Sequence, residues 1–216
     1  MLEKAERLQN MIKGGIIAIL RHVPEENAVR VAESLVEGGV TALEVPVQTA
    51  GAFRAMEAIA SRLQGKAVVG AGTVLDAETA RLSINCGAEF LFSPSLHQEV
   101  IRTGLRYGKI VVPGVMTPTE MIQAMEWGAD LVKIFPAGSL GPSYVKDVRG
   151  PFPHIPVIPT GGVNLENAAA FIKAGAVALG VGGSLVDSRL MAAGEYDKLR
   201  ERAARFVDAV KAARTT

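Results

Sequence analysis

Short apolar runs recur along the 216-residue chain at a nearly constant interval: Ile16–Leu20, Thr41–Val45, Ala67–Val69, Phe90–Phe92, Ile110–Val112, Leu131–Phe135, Val157–Ile158 and Val177–Val181. Each has the length of a strand and is too short for a helix. Between them the apolar positions follow the helical period. In Glu25–Glu37 they are Ala28, Val31, Ala32, Leu35 and Val36, the stripe of a helix with one face on a core. Thr117–Trp127 and Asn164–Ala174 carry similar stripes, with Thr117 and Asn164 as N-caps and Pro118 in a first helical turn. Gly39, Gly65, Gly87, Gly108, Gly128, Gly150 and Gly175 fall 20 to 26 residues apart, the interval of one strand plus one helix, with glycine ending the helix.

Eight strand–helix alternations without a composition break predict an α/β fold, a (β/α)8 barrel forming one domain over residues 1–216. A doubly wound sheet is the alternative. It usually has fewer strands and a GxGxxG turn after the first, which this chain lacks. Met1–Lys13 reads as an N-terminal amphipathic helix and not a signal peptide, and Glu195–Arg214 as a closing helix.

The polar positions inside the apolar runs change the picture. Lys133 sits in Leu131–Phe135, and Glu44 sits in the run from Ala42 to Val47. An unpaired ion inside a strand costs several kcal/mol or neutralises. Strand parity groups Leu131, Lys133 and Phe135 on one face, and Ala42, Glu44 and Pro46 on another. It leaves Val132, Ile134, Leu43 and Val45 for the helices. Both charges then point into the barrel, toward the C-terminal mouth where such folds place their chemistry. A buried structural ion pair and a catalytic pair both fit this pattern.

Glycine-rich turns follow the last two strands: Pro159-Thr160-Gly161-Gly162-Val163-Asn164 and Gly180-Val181-Gly182-Gly183-Ser184. They read as tight turns or as a phosphate cradle, whose amides approach an anion closely. Arg21 ends the first strand, as an anion clamp or a solvated strand end. In Gly70-Ala71-Gly72-Thr73 the glycines make room and Thr73 offers a hydroxyl, or the segment simply opens a helix. Ser93-Pro94-Ser95 and Pro113-Gly114-Val115-Met116-Thr117 read as rigid rims, and Met116, Met121, Met125 and Trp127 as core.

Composition narrows the classes. A net charge of +1 with interspersed signs argues against a nucleic-acid surface. No apolar run approaches the ~20 residues of a membrane span, so the expected location is the cytoplasm. Cys86 is the only cysteine and reads as a small buried hydrophobe, and no histidine pattern for a metal appears among His22, His97 and His154.

Glu44-Val45, Gly70 to Val74, Ser93-Pro94, Pro113-Gly114, Lys133 to Ala137, Pro159 to Gly162 and Gly182 to Ser184 occur in this order. Together they strongly resemble the bacterial 2-keto-3-deoxy-6-phosphogluconate / 4-hydroxy-2-oxoglutarate aldolase family, over about Ile16 to Val186. The resemblance implies a class I aldolase, a homotrimer of (β/α)8 barrels needing no metal or cofactor. It would act on a small phosphorylated keto acid, with 4-hydroxy-2-oxoglutarate as the alternative substrate. A phosphate-binding barrel epimerase and a non-catalytic phosphate-binding module are the rival readings. The resemblance makes Lys133 the Schiff-base lysine and Glu44 the acid/base. Arg21, Gln48, Thr73, Pro94, Thr160, Gly161, Gly162, Gly182, Gly183 and Ser184 are expected to contact substrate. One departure stands out: many members carry an arginine where this chain has Gln48. The run Glu44-Val45-Pro46-Val47-Gln48 is closer to the galactonate-specific branch.

Overall fold

The computed structural model describes residues 2–215. In chain order the elements are α1 (Leu2–Gly14), β1 (Ile16–Ile19), α2 (Glu25–Glu37), β2 (Ala42–Pro46), α3 (Ala52–Arg62), β3 (Val68–Gly72), α4 (Ala77–Asn85), β4 (Phe90–Phe92), α5 (Gln98–Arg106), β5 (Ile110–Val112), β6 (Gly114–Val115), α6 (Pro118–Glu126), β7 (Val132–Ile134), α7 (Ala137–Arg149), β8 (Val157–Pro159), α8 (Ala168–Lys173), β9 (Leu179–Val181), α9 (Ser188–Ala192) and α10 (Tyr196–Arg214). The helix predicted over Glu25–Glu37 and the strands at Phe90–Phe92 and Ile110–Val112 have the bounds read from the sequence.

All strand pairs are parallel, as an alternating βα chain requires. Six strands form one sheet in the order β5-β4-β3-β2-β1-β9, and three form a second, β6-β7-β8. The sheets meet at both ends. Thr160 bridges Gly180 between β8 and β9, and Val177 N–H donates to Val157 O at 3.1 Å. At the other end β5 runs into β6 across Pro113, whose carbonyl accepts from Lys133 N–H at 2.9 Å.

Two buried apolar clusters lie on opposite faces of the strands. The larger, with Leu43, Val45, Val132 and Ile134, packs under the helices. The smaller contains Ile17, Ala42, Val68, Phe90, Phe92, Leu131 and Ile158, joined by Met11 of α1 with Leu8 and Ile12 against it. The strand parity is therefore the one the sequence predicts. Arg7 and Lys4 of α1 pair with Glu89 and Asp130, at 2.8 and 2.9 Å.

Helix ends follow their residues. Thr117 and Glu120 form a capping box at the start of α6, with Pro118 next. Of the seven spaced glycines, six have φ between 65° and 104°; Gly150, at −56°, is the exception. Gly39 shows why: its left-handed turn lets Val40 N–H donate to Leu35 O at 3.1 Å, closing a Schellman-type end.

Three expectations change. Gly114 and Val115 are a strand, β6, paired with Lys133 and Ile134, and not only a rim. Asn164 is not the N-cap: its side chain accepts from Glu166 and Asn167 N–H at 2.9 and 3.0 Å and closes a turn, after which Asn167 holds the N-cap position of the helix that starts at Ala168. Met116 is 45% exposed, because it lies beyond β6 on the rim; only Met121 of the expected core group is fully buried.

Candidate active site

Glu44 and Lys133 are the only buried residues among the described Lys, Arg and Glu, at 2% and 3% exposure. β2 carries Glu44 opposite Gly70 of β3 and Ile19 of β1. β7 carries Lys133 between Gly114 and Ile158. Glycine is required beside Glu44. A Cβ on Gly72 would lie 1.7 Å from Glu44 Oε1 and 2.0 Å from its carboxyl carbon. The Glu44 carboxylate therefore occupies the space a side chain at position 72 would fill. A Cβ on Gly70 would sit 2.4 Å from the Phe90 ring. Both glycines of the Gly70-Ala71-Gly72 run are thus explained by what lies over them.

The Lys133 ammonium position is walled by aromatic rings, with Nζ 4.9 Å from the Phe135 centroid and 5.4 Å from that of Phe92. Burial drives its pKa down; the Glu44 carboxylate opposes this and the Arg21 guanidinium reinforces it. Burial drives the Glu44 pKa up against the pull of Lys133 and Arg21. Both shifts favour the uncharged forms of the two groups. Glu44 Oε2 is buried without a hydrogen-bond partner. Few buried polar atoms stay orphaned in folded proteins, and those that do tend to mark sites of function.

Next to Phe135 opens a cavity of about 300 Å³, lined by Ile19, Arg21, Thr160, the Gly161–Asn164 turn, Gly180 and the Gly182–Ser184 turn. Gly161 and Gly162 have φ of 83° and 80°, a left-handed pair that side chains rarely adopt. Among the described residues, the N–H groups of Gly162, Gly183 and Ser184 donate to no protein acceptor. Such amides, with the Arg21 guanidinium at the same cavity, suit an anion. A more open depression of about 500 Å³ lies between α8 and the end of α10. Arg214 there is committed to the carbonyls of Ile12, Lys13 and Val177, and no acid–base pair is present.

The structure thus gathers seven of the ten expected contact residues around one cavity: Arg21, Thr160, Gly161, Gly162, Gly182, Gly183 and Ser184. Gln48, Thr73 and Pro94 do not line it. They stand just past β2, β3 and β4, with Gln48 exposed and the other two half-buried. Thr73 has φ 60°, strained for a β-branched residue. Phe92 and Asn167 were not read from the sequence. Phe92 could have been, since it shares the parity of Phe90. Asn167, whose amide donates to Gly162 O at 2.9 Å, has no local signal. Among the described residues no group of three His, Cys, Asp or Glu side chains is placed to hold a metal ion.

Comparison with known proteins agrees with this geometry. The family model of KDPG and KHG aldolases matches residues 8–202. A 2-dehydro-3-deoxy-6-phosphogalactonate aldolase from Escherichia coli K12 is 36% identical over 208 residues, covering 95% of this chain and 99% of that protein. A solved structure described as native KDPGal superposes with a TM-score of 0.87 at 34% identity, over 93% of this chain and 96% of that one. KDPG aldolase from Legionella pneumophila, solved with pyruvate captured as a covalent carbinolamine, superposes with a TM-score of 0.82 at 26% identity, over 89% and 95%. The family model spans most of the chain and the relatives align over nearly all of it, so the chain belongs to the KDPG and KHG aldolase family.

Proposed function

We propose that this protein is a class I aldolase that cleaves a 2-keto-3-deoxy-6-phospho sugar acid into pyruvate and glyceraldehyde 3-phosphate through a Schiff base on Lys133. The buried, aromatic-walled Lys133 carries the reading. Its uncharged amine attacks the C2 ketone, and the carbinolamine loses water to leave an iminium. Glu44, directly or through one water, gives its proton to the departing hydroxyl and then, as the carboxylate, takes the C4 hydroxyl proton. The C3–C4 bond breaks, its electrons pass into the iminium, and the aldehyde departs. The resulting enamine is protonated at C3, and hydrolysis frees pyruvate and the amine. The orphaned Glu44 Oε2 supports the shuttle role, which typically contributes ~10²–10⁴-fold.

In this reading Arg21, Thr160 and the Gly161–Gly162 and Gly182–Ser184 turns hold the phosphate, while Gln48, Thr73 and Pro94 flank the pyruvate end. The galactonate epimer is favoured. The relative named for it aligns over nearly the whole chain, and Gln48 replaces an arginine with a neutral donor. The scaffold is read as one closed (β/α)8 barrel over residues 1–216, supported by the hydrogen bonds that join the two sheets at both ends. α1 is its amphipathic plug, supported by Met11 packing against the inner cluster. A homotrimer in the cytoplasm rests on the family resemblance.

Pyruvate plus borohydride tests the chemistry: a permanent mass gain at Lys133 is expected, and an unmodified Lys133 refutes it. Pyruvate release from the galactonate and gluconate 6-phosphate keto-deoxy acids, side by side with 4-hydroxy-2-oxoglutarate, tests the substrate. Faster turnover of 4-hydroxy-2-oxoglutarate than of either phosphorylated acid would overturn the phosphate assignment.

A further inference from the structure

The turn after β9 forms one wall of the cavity, and part of its restraint comes from outside it. Gly182 and Gly183 are adjacent glycines, and a Cβ on Gly183 would meet nothing within 4 Å. Within the turn Leu185 and Val186 N–H donate to Gly182 O at 2.8 and 2.9 Å; the Gly183–Ser184 stretch between them is held from elsewhere. Ser184 Oγ donates to Val163 O at 2.5 Å, tying this turn to the one after β8. From α10, Arg202 Nη1 donates to Ser184 O at 3.4 Å and to Asp187 Oδ2 at 3.1 Å. Asp187 is 9% exposed and accepts from Arg189 N–H at 2.9 Å, at the start of α9. Its carboxyl is held well below the usual carboxylate range by Arg189 first and Arg202 with it. Arg189 is almost fully exposed, so its ion pair contributes little; the Arg202 side chain is 30% exposed and reaches from the helix behind the turn.

We propose that the Asp187–Arg202 pair positions the phosphate end of the site, fixing the Ser184 carbonyl and with it the Gly183–Ser184 amides that face the anion; the inference rests on the aldolase reading of the cavity. Arg202 does not line the cavity, and it points its guanidinium at Asp187, a carboxylate it shares with Arg189, and at the Ser184 carbonyl. It therefore acts by geometry and not as a second anion clamp. A guanidinium suits the task because one planar fork spans two acceptors; an ammonium reaches one with less directional control. Loosening the turn penalises only substrates that need the amides. The lysine chemistry, carried on β2 and β7, is untouched.

The test runs the reaction in the aldol direction, with pyruvate and either glyceraldehyde 3-phosphate or unphosphorylated glyceraldehyde. For Arg202→Met, KM for glyceraldehyde 3-phosphate is expected to rise at least fivefold with kcat within twofold. KM for glyceraldehyde and the rate of borohydride trapping of pyruvate at Lys133 should stay at wild-type values. Arg202→Lys should recover part of the loss, and Asp187→Asn should fall between. An unchanged KM for glyceraldehyde 3-phosphate in folded Arg202→Met overturns the proposal, as does an equal rise for both aldehydes. If Arg202→Met does not fold, Arg202→Lys and Asp187→Asn decide the matter by the same ratio. Absence of pyruvate trapping in the wild type is a different failure, because it removes the aldolase reading itself.

Discussion

Replacing Gly72 by alanine adds one methyl group at the place where the Glu44 carboxylate lies. The new Cβ would stand 1.7 Å from Oε1, and ordinary contact begins near 3.4 Å, so the oxygen must retreat by about 1.7 Å. The backbone cannot yield easily. β2 and β3 are locked in register at Pro46 and Gly72, and Val47 N–H donates to Gly72 O at 2.9 Å. The carboxylate therefore moves. A misplacement of ~1 Å can cost ~10²-fold, and full loss of a proton shuttle ~10²–10⁴-fold. That corresponds to about 2.7–5.4 kcal/mol on the barrier. The added methyl should also cost ~1–3 kcal/mol of stability through overpacking. Pyruvate release coupled to NADH oxidation gives kcat, and thermal melting gives the stability. Gly38→Ala is the control. Its Cβ would lie 2.5 Å from Arg200 O, between α2 and α10, so it should lower the melting temperature and leave kcat alone. A folded Gly72→Ala enzyme with kcat within twofold of wild type would refute the placement of Glu44 as the shuttle.

Further expectations follow from the pair of buried charges. Lys133→Arg keeps a cation but loses the usable nucleophile, so turnover and pyruvate trapping should both vanish; measurable pyruvate release would exclude the Schiff base. Glu44→Gln should lower kcat by ~10²-fold or more while borohydride still captures pyruvate, and mass spectrometry separates the two effects. Because folding lowers the Lys133 pKa, the unfolded chain binds more protons between that lowered pKa and about pH 10.4, so this residue costs stability below about pH 10.4 and the cost fades as pH rises toward it. Lys133→Met should therefore melt higher than wild type at pH 7, with the gap narrowing as pH rises toward 10. A gap independent of pH would contradict the lowered pKa. The same shift places the acid limb of pyruvate trapping at a pH below that of an ordinary lysine.

Much of the fold was legible because strand and helix periods are local. Apolar runs, helical stripes and spaced glycines each need only a few neighbouring residues to declare themselves. Parity then told which side of each strand faced inward, and so paired Lys133 with Glu44 across 89 positions of sequence. β6 was missed because a two-residue strand has no period to read. Met116 was misplaced because its helical spacing to Met121 and Met125 says nothing about where α6 begins.

The chain alone therefore determined the alternation of elements, the inward set of side chains and the two residues of opposite charge among them. Only the tertiary structure decided that Gly72 makes the bed for Glu44, that Phe92 and Phe135 wall Lys133, and that Arg202 on the last helix restrains the turn at Ser184. The physical reason is reach. Periodicity is written within one or two turns of chain, whereas these contacts exist only once strand register and closure bring distant segments within a few ångströms.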